Sequence, residues 1–129
     1  MQTFEKSWSG KGVADTGAYM SKEAISFVKA FRNMLKRQLE PEGIEVELKP
    51  NHYDCSGFLR KDDKYIYISY SIPRGGYPID FDACDAMNGV LYRTAKNERD
   101  FKGGNNHFSS LNRIARDIIK MFDDYERYN

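Results

Sequence analysis

Residues 64–72 read KYIYISYSI, and this stretch decides the fold because two kinds of side chain alternate along it without interruption. After Lys64, isoleucines and one tyrosine hold the even positions, whereas the odd positions hold Tyr65, Tyr67, Ser69 and Ser71. A period of two predicts a β-strand with one face buried and the other face turned outward.

Shorter patterns on both sides of this stretch predict neighbouring strands. Residues 44–49 alternate apolar and charged side chains, and residues 57–60 precede the polar turn at 61–63. Residues 90–95 form a candidate fourth strand. Short polar connections between such segments are typical of an antiparallel meander.

Two amphipathic helices frame the predicted strands. Apolar residues recur at steps of three and four from residue 22 to 39, between a candidate N-cap at Ser21 and the helix-breaking Pro41. A second helix is predicted over residues 110–125, and a short helical insert over residues 81–87. We therefore predict an α+β fold, in which an antiparallel three- to four-stranded sheet has two amphipathic helices packed on one face.

The first twenty residues show no such period. Three glycines interrupt them, so we predict a flexible N-terminal arm at residues 1–20 and a single α+β domain at residues 21–129. The only tryptophan, Trp8, lies in the arm. We expect it to pack on the domain, with a contact to a partner as the alternative.

Composition excludes several classes of protein. The 129 residues suffice for one domain, and 20 Lys+Arg against 19 Asp+Glu give a net charge of +1. This balance argues against a strongly basic DNA binder and against an acidic DNA mimic. We find no apolar run of about 18 residues and no signal peptide, so we expect no membrane partner. Two cysteines without CxxC spacing favour a cytoplasmic location.

A catalytic or metal site has little support in the sequence. The loop at residues 52–57 holds His52, Asp54, Cys55 and Ser56. A pair of Cys55 with His107 or His52 would allow nucleophilic catalysis, but Cys55 is equally well explained as a small core residue. Two cysteines and two histidines lack the spacing of a zinc site. We predict no enzyme activity, cofactor or metal, and keep a Cys/His-dependent enzyme as an alternative.

Arginine and tyrosine at exposed positions indicate a surface for a partner. The loop at residues 74–77 reads RGGY and lacks the Lys-Ser/Thr of a P-loop, but its Arg and Tyr belong to the residue types that dominate binding hot spots. We expect this loop to project beside the tyrosine face of residues 64–72. The predicted partner-binding residues are Trp8, Tyr65, Tyr67, Arg74 and Tyr77.

Basic residues collect in two segments. The first predicted helix carries five bases and one acid, whereas residues 40–54 reverse this ratio with five acids and one base. A phosphate backbone could be contacted by the candidate nucleic-acid-binding residues, which are Lys22, Lys29, Arg32, Lys36, Arg93, Lys96, Arg99 and Lys102. A solvated helix face of mixed charge is the alternative explanation.

Four segments resemble a known class of domain. They read AISFV at 24–28, IEVEL at 44–48, YDCSG at 53–57 and YIYIS at 65–69. Residues 24–101 are similar to small domains of the large polyvalent protein associated type, which occur in phages and conjugative elements. The resemblance implies a mobile-element origin and an accessory role, such as inhibition of a bacterial defence system, and it carries over no active-site residues.

Together these observations predict a non-catalytic binding protein of a phage or mobile element. It would inhibit a host defence factor, such as a CRISPR–Cas nuclease, by occluding a functional surface in the cytoplasm of the bacterial host. The expected partner is a host defence protein or ribonucleoprotein, and contact with nucleic acid and formation of a homodimer stay open. The main alternative is a small nucleic-acid-binding module.

Overall fold

A five-stranded antiparallel sheet forms the centre of the computed structural model, which describes residues 4–13, 21–51, 54–73 and 76–128. The strands are β1 Glu45–Asn51, β2 Asp54–Lys61, β3 Lys64–Ser71, β4 Val90–Ala95 and β5 His107–Ser109, adjacent in chain order. The α-helices are α1 Phe4–Trp8, α2 Lys22–Leu39 and α3 Ile114–Asp123, and short 3-10 helices follow at Glu40–Glu42 and Tyr125–Tyr128. The predicted α+β fold with an antiparallel meander is confirmed.

The strand count differs from the prediction of three to four. The additional strand, β5, has only three residues and pairs Ser109 with Val90 of β4. Three residues are too few to display a period of two, so this strand forms through pairing with β4 rather than through a pattern of its own.

The predicted helical insert at residues 81–87 is wrong, since the structure forms turns there. The Asp85 carboxylate accepts hydrogen bonds from the backbone amides of Met87 and Asn88, at 2.9 and 2.8 Å. A side chain that binds amides two and three residues ahead stabilises a turn in competition with a helix. The last helix is also shorter than predicted, because residues 111–113 form a turn before α3 begins.

Helix α2 has the predicted bounds. The Ser21 hydroxyl accepts a hydrogen bond from the Ala24 amide at 3.0 Å, and Gly43 ends the following 3-10 turn with a left-handed φ of 78°. Phe27 and Phe31 are fully buried, and their rings lie 5.7 and 6.1 Å from the ring of Tyr70 in β3. Helix α2 therefore packs on the sheet face that carries Tyr70.

The core joins this inner face of the sheet to both long helices. Ile66 and Ile68 of β3 and Ile114 and Ile118 of α3 belong to the same buried cluster as the apolar side of α2, and all four are inaccessible to solvent. Burial alternates along β3 as expected, because Tyr65, Tyr67 and Ser69 are only partly covered. The sheet thus keeps an outer face.

The described part of the N-terminal segment, residues 4–13, packs against the domain. Phe4 is buried, with its ring 5.0 Å from that of Phe81, and Trp8 packs edge-on against Phe27 at 5.4 Å. The backbones of residues 10 and 11 exchange hydrogen bonds with Ile79. Residues 14–20, and with them the boundary at residue 20, lie outside the described part, so the division into arm and domain stays a prediction. Among the described residues, no helix has the length and apolarity required to cross a membrane.

Candidate binding surface on the outer face of the sheet

A groove of about 950 Å³ runs across the outer face of the sheet. Strand β1 forms one wall, and the loop that follows β4 forms the other. Because side chains alternate along paired strands, the floor holds the outward residues of β2 and β3, which include Phe58, Arg60, Tyr65 and Tyr67.

Three aromatic rings meet in this groove, and we call them the aromatic trio. Phe58 of β2 and Tyr67 of β3 are cross-strand partners with ring centroids 5.2 Å apart. Phe101, from the loop after β4, lies 5.5 Å from Phe58 and 6.1 Å from Tyr67. Phe101 as a whole residue is nevertheless 66% exposed. An aromatic ring that is held in contact on one side and open on the other is suited to receive an apolar group of a partner.

A buried arginine holds the loop that carries Phe101. Arg93 of β4 is only 5% exposed, and its guanidinium carbon lies 4.5 Å from the centre of the Tyr67 ring. Its Nη1 donates to the carbonyl of Gly103 at 2.7 Å, and its Nη2 donates to the carbonyl of Asp100 at 3.0 Å. One side chain thus joins both sides of the loop to the floor of the groove.

The carboxylate of Asp100, a residue of the same loop, also closes it. Asp100 accepts hydrogen bonds from the backbone amides of Lys96 at 2.9 Å and Lys102 at 3.1 Å. These amides, with a smaller contribution from the positive charge of Arg93, lower the pKa of Asp100 below its ordinary value. The loop is therefore organised around an ionised aspartate at neutral pH.

Charge in the groove is balanced. Glu45, Glu47 and Lys49 project from β1, and Lys49 forms an exposed ion pair with Glu47 at 3.6 Å. Arg60 lies on the floor, and Glu98 and Arg99 lie on the wall across from β1. Three acids and three bases produce no excess of positive charge, so this surface lacks the field that favours a phosphate backbone.

The predicted partner-binding residues do not form one surface. Tyr65 and Tyr67 both line the groove, as the alternation of residues 64–72 indicated. Tyr77 is 72% exposed but follows the far end of β3, and Trp8 packs on Phe27 at the inner side of the sheet. Arg74 lies outside the described residues. The structure therefore separates Tyr77 and Trp8 from the two tyrosines of β3.

The candidate nucleic-acid-binding residues also divide. Lys22, Lys29 and Lys36 are exposed along α2 on the inner side, whereas Lys96, Arg99 and Lys102 are exposed on the loop over the outer face. Arg32 of α2 is half-buried. Arg93 was expected among the exposed bases, but its burial and its hydrogen bonds to the loop give it a structural position instead.

Geometry contradicts the pair of Cys55 and His107. Cys55 is fully buried on the inner face of β2, and burial is the main cause that raises its pKa to about 12. Three strand spacings, about 14 Å, separate β2 from β5, where His107 lies. A base at that distance cannot accept the thiol proton. His52 lies outside the described residues, so the other pair stays a prediction.

The ring of His107 packs against two tyrosine rings. Its centroid lies 5.6 Å from that of the Tyr92 ring and 5.1 Å from that of the Tyr128 ring. Within the described ranges, no group of three or more histidine, cysteine or acidic side chains is placed to hold a metal ion.

Two aromatic residues of the groove, Phe58 and Phe101, were missed from the sequence. Phe58 occupies an outward position of the predicted strand at 57–60, so the alternation could have revealed it. Phe101 lies in a polar segment and had no periodic signal.

Comparison of the chain with protein-family models, curated proteins and solved structures found no match. The resemblance to domains of phages and conjugative elements therefore stays a prediction.

Proposed function

We propose that this protein is a non-catalytic binding protein that occludes a functional surface of a protein partner with the outer face of its sheet. The observation that supports this proposal is the position of Phe101, which is largely exposed yet held beside Phe58 and Tyr67 by the buried Arg93. In this proposal α2 and α3 cover the inner face together and leave the outer face free.

The arrangement of the aromatic trio favours tight binding. Ordering a side chain on association costs about 0.5–1.5 kcal/mol, and a ring already packed against two neighbours has part of this cost removed. Aromatic and arginine side chains in a concave site are the groups that most often dominate a protein–protein interface. Arg60 and Arg99 lie in the same groove as the trio.

We further propose that the partner is a host defence factor, such as a CRISPR–Cas nuclease or its ribonucleoprotein, in the cytoplasm of a bacterial host. This part rests on the resemblance of residues 24–101 to domains of mobile elements. A small protein that binds without catalysis can inhibit such an enzyme by covering the surface that receives its substrate.

Cleavage assays with CRISPR–Cas nucleases test both parts. A nuclease that the protein inhibits should be captured by it, and Phe101→Ala should weaken the measured affinity at least tenfold, since removal of a central aromatic residue costs about 2 kcal/mol or more. Tyr77→Ala is the matched control, because Tyr77 is similarly exposed but lies outside the groove. It should change the affinity less than twofold.

The two parts can fail separately. If the protein inhibits none of the nucleases but binds another protein through Phe101, the identity of the partner is wrong and the binding surface stands. If Phe101→Ala and Tyr77→Ala bind equally well to the captured partner, the outer face is not the interface.

A further inference from the structure

Helix α2 carries a line of four bases on the side of the molecule opposite the groove, of which three are exposed and Arg32 is half-buried. With about 100° of rotation per residue, Lys22, Lys29, Arg32 and Lys36 fall within an arc of about 80°. We call these four residues the α2 basic stripe. From Lys22 to Lys36 the stripe extends for about 21 Å along the helix axis.

No ion pair with a carboxylate of the described residues involves this stripe. Within the described residues, none of its four side chains lies within ion-pair distance of a carboxylate, and the three ion pairs that occur there involve other residues. Within the helix the only acid, Glu23, is rotated by about 100° from Lys22, whereas the C-cap residue Glu40 follows Lys36 by four residues and lies at the end of the arc. The one other residue of α2 in the arc is Ile25, which is 40% exposed.

Adjacent like charges of this kind are unfavourable in a free helix. Lys29, Arg32 and Lys36 follow at steps of three and four residues, where like charges destabilise a helix by a few tenths of a kcal/mol per pair. A helix face that only contacts water commonly alternates acids and bases, and thereby avoids this repulsion. An anionic ligand with several charges in a row would remove it.

We propose that the α2 basic stripe binds the phosphate backbone of a nucleic acid. One strand of a duplex presents a phosphate about every 3.4 Å of helix axis, and the strand winds around that axis, so a straight line of about 21 Å follows it past fewer than about six phosphates. Four cations on a rigid helix can still contact several phosphates at once.

A membrane surface fits the same helix poorly. An amphipathic helix binds a lipid surface by inserting its apolar side, but the apolar side of α2 is buried in the core, where Phe27, Phe31 and Leu35 are fully inaccessible. Ile25 alone offers little apolar area. The stripe is also remote from the groove, which lies on the other face of the sheet, so this binding does not depend on the proposed function.

Fluorescence anisotropy with a labelled DNA duplex of about 20 base pairs tests the proposal, and four phosphate contacts predict a slope of log K against log salt of about −3.6. The affinity should then fall about 150-fold between about 50 and 200 mM salt. The double variant Lys29→Glu/Lys36→Glu leaves two cations and should reduce the slope to about −1.8 or less. Lys29→Arg/Lys36→Arg should bind as the wild type does.

The matched control is Arg113→Glu/Lys120→Glu, which makes the same change of net charge. Arg113 is the N-cap of α3 and Lys120 lies within it, and the two exposed positions are also seven residues apart. Circular dichroism confirms that each variant is folded. Equal losses in the two glutamate pairs would assign binding to net charge alone and overturn the proposal. The absence of DNA binding at low salt would also overturn the proposal. So would binding to anionic lipid vesicles or to polyglutamate that is as tight as the binding to DNA, or tighter.

Discussion

Replacement of Arg93 by methionine should release the loop at residues 96–104 from the sheet. Hydrogen bonds from a charged donor contribute about 1.5–3 kcal/mol each, and Arg93 makes two of them, to the carbonyls of Gly103 and Asp100. Its position over the Tyr67 ring adds about 1 kcal/mol. Methionine keeps much of the apolar volume, and water can reach the partly buried carbonyls. We therefore expect a net loss of about 3 kcal/mol in the free energy of unfolding.

Urea denaturation measures this loss, which corresponds to a fall of about 10 °C in the melting temperature for a domain of this size. Arg99→Met is the matched control, because Arg99 belongs to the same loop but is exposed. Its free energy of unfolding should change by less than about 0.5 kcal/mol. Arg93→Lys should lie between the two, since lysine keeps the charge but lacks the planar fork that reaches two carbonyls.

Hydrogen exchange locates the effect within the molecule. The amides of Lys96 and Lys102, which donate to Asp100, should exchange faster in Arg93→Met while the amides of α2 keep their protection relative to global unfolding. If stability changes by less than about 0.5 kcal/mol and these two amides exchange as in the wild type, Arg93 does not hold the loop. The argument for a prearranged Phe101 would then be wrong.

Two further predictions follow from the titrating groups. Since the pKa of Asp100 is lower in the folded protein than in the unfolded chain, its contribution to stability is present above about pH 4 and is lost as the pH falls through the folded value. Asp100→Asn should therefore have a lower free energy of unfolding than the wild type at about pH 6, as measured by urea denaturation. This difference should shrink towards about pH 2.5, and a difference that is independent of pH would contradict the prediction. The thiols should also react in two phases with Ellman's reagent, because Cys84 is exposed whereas burial raises the pKa of Cys55 to about 12. Cys84→Ser should remove the fast phase, and rapid modification of the native variant at Cys55 would contradict the inward orientation of this residue.

Long periodic segments were predictable because their pattern is imposed by one buried face. The eighteen residues of α2 and the eight of β3 each show their period several times, so both the elements and their inward residues followed from the sequence. The three residues of β5 and the turns at 81–87 depend on pairing with β4 and on the hydrogen bonds of Asp85. Such contacts leave no period in the sequence.

The candidate site was predictable only where it lies on a strand. Tyr65 and Tyr67 were placed outward by alternation alone. The position of Arg93 depends on the register that sets it opposite Tyr67, and the position of Phe101 depends on the loop that Arg93 then binds. Both residues are joined to the groove by contacts between segments, and the polar composition of residues 97–107 gave no sign that an aromatic ring would be held there.

The two proposed surfaces differ in their dependence on salt, and this difference separates them in any complex that the protein forms. The groove contains three acids and three bases around an aromatic trio, so apolar contacts would dominate there and its affinity should change little between about 50 and 200 mM salt. The four bases of the α2 basic stripe form no ion pair among the described residues, and the affinity of the stripe for phosphates should fall steeply over the same range. A net charge of +1 describes the chain as a whole and does not show this contrast between two surfaces. A complex that persists at high salt but is lost with Phe101→Ala is therefore held by the groove, and one that dissolves with salt and with Lys29→Glu/Lys36→Glu is held by the stripe.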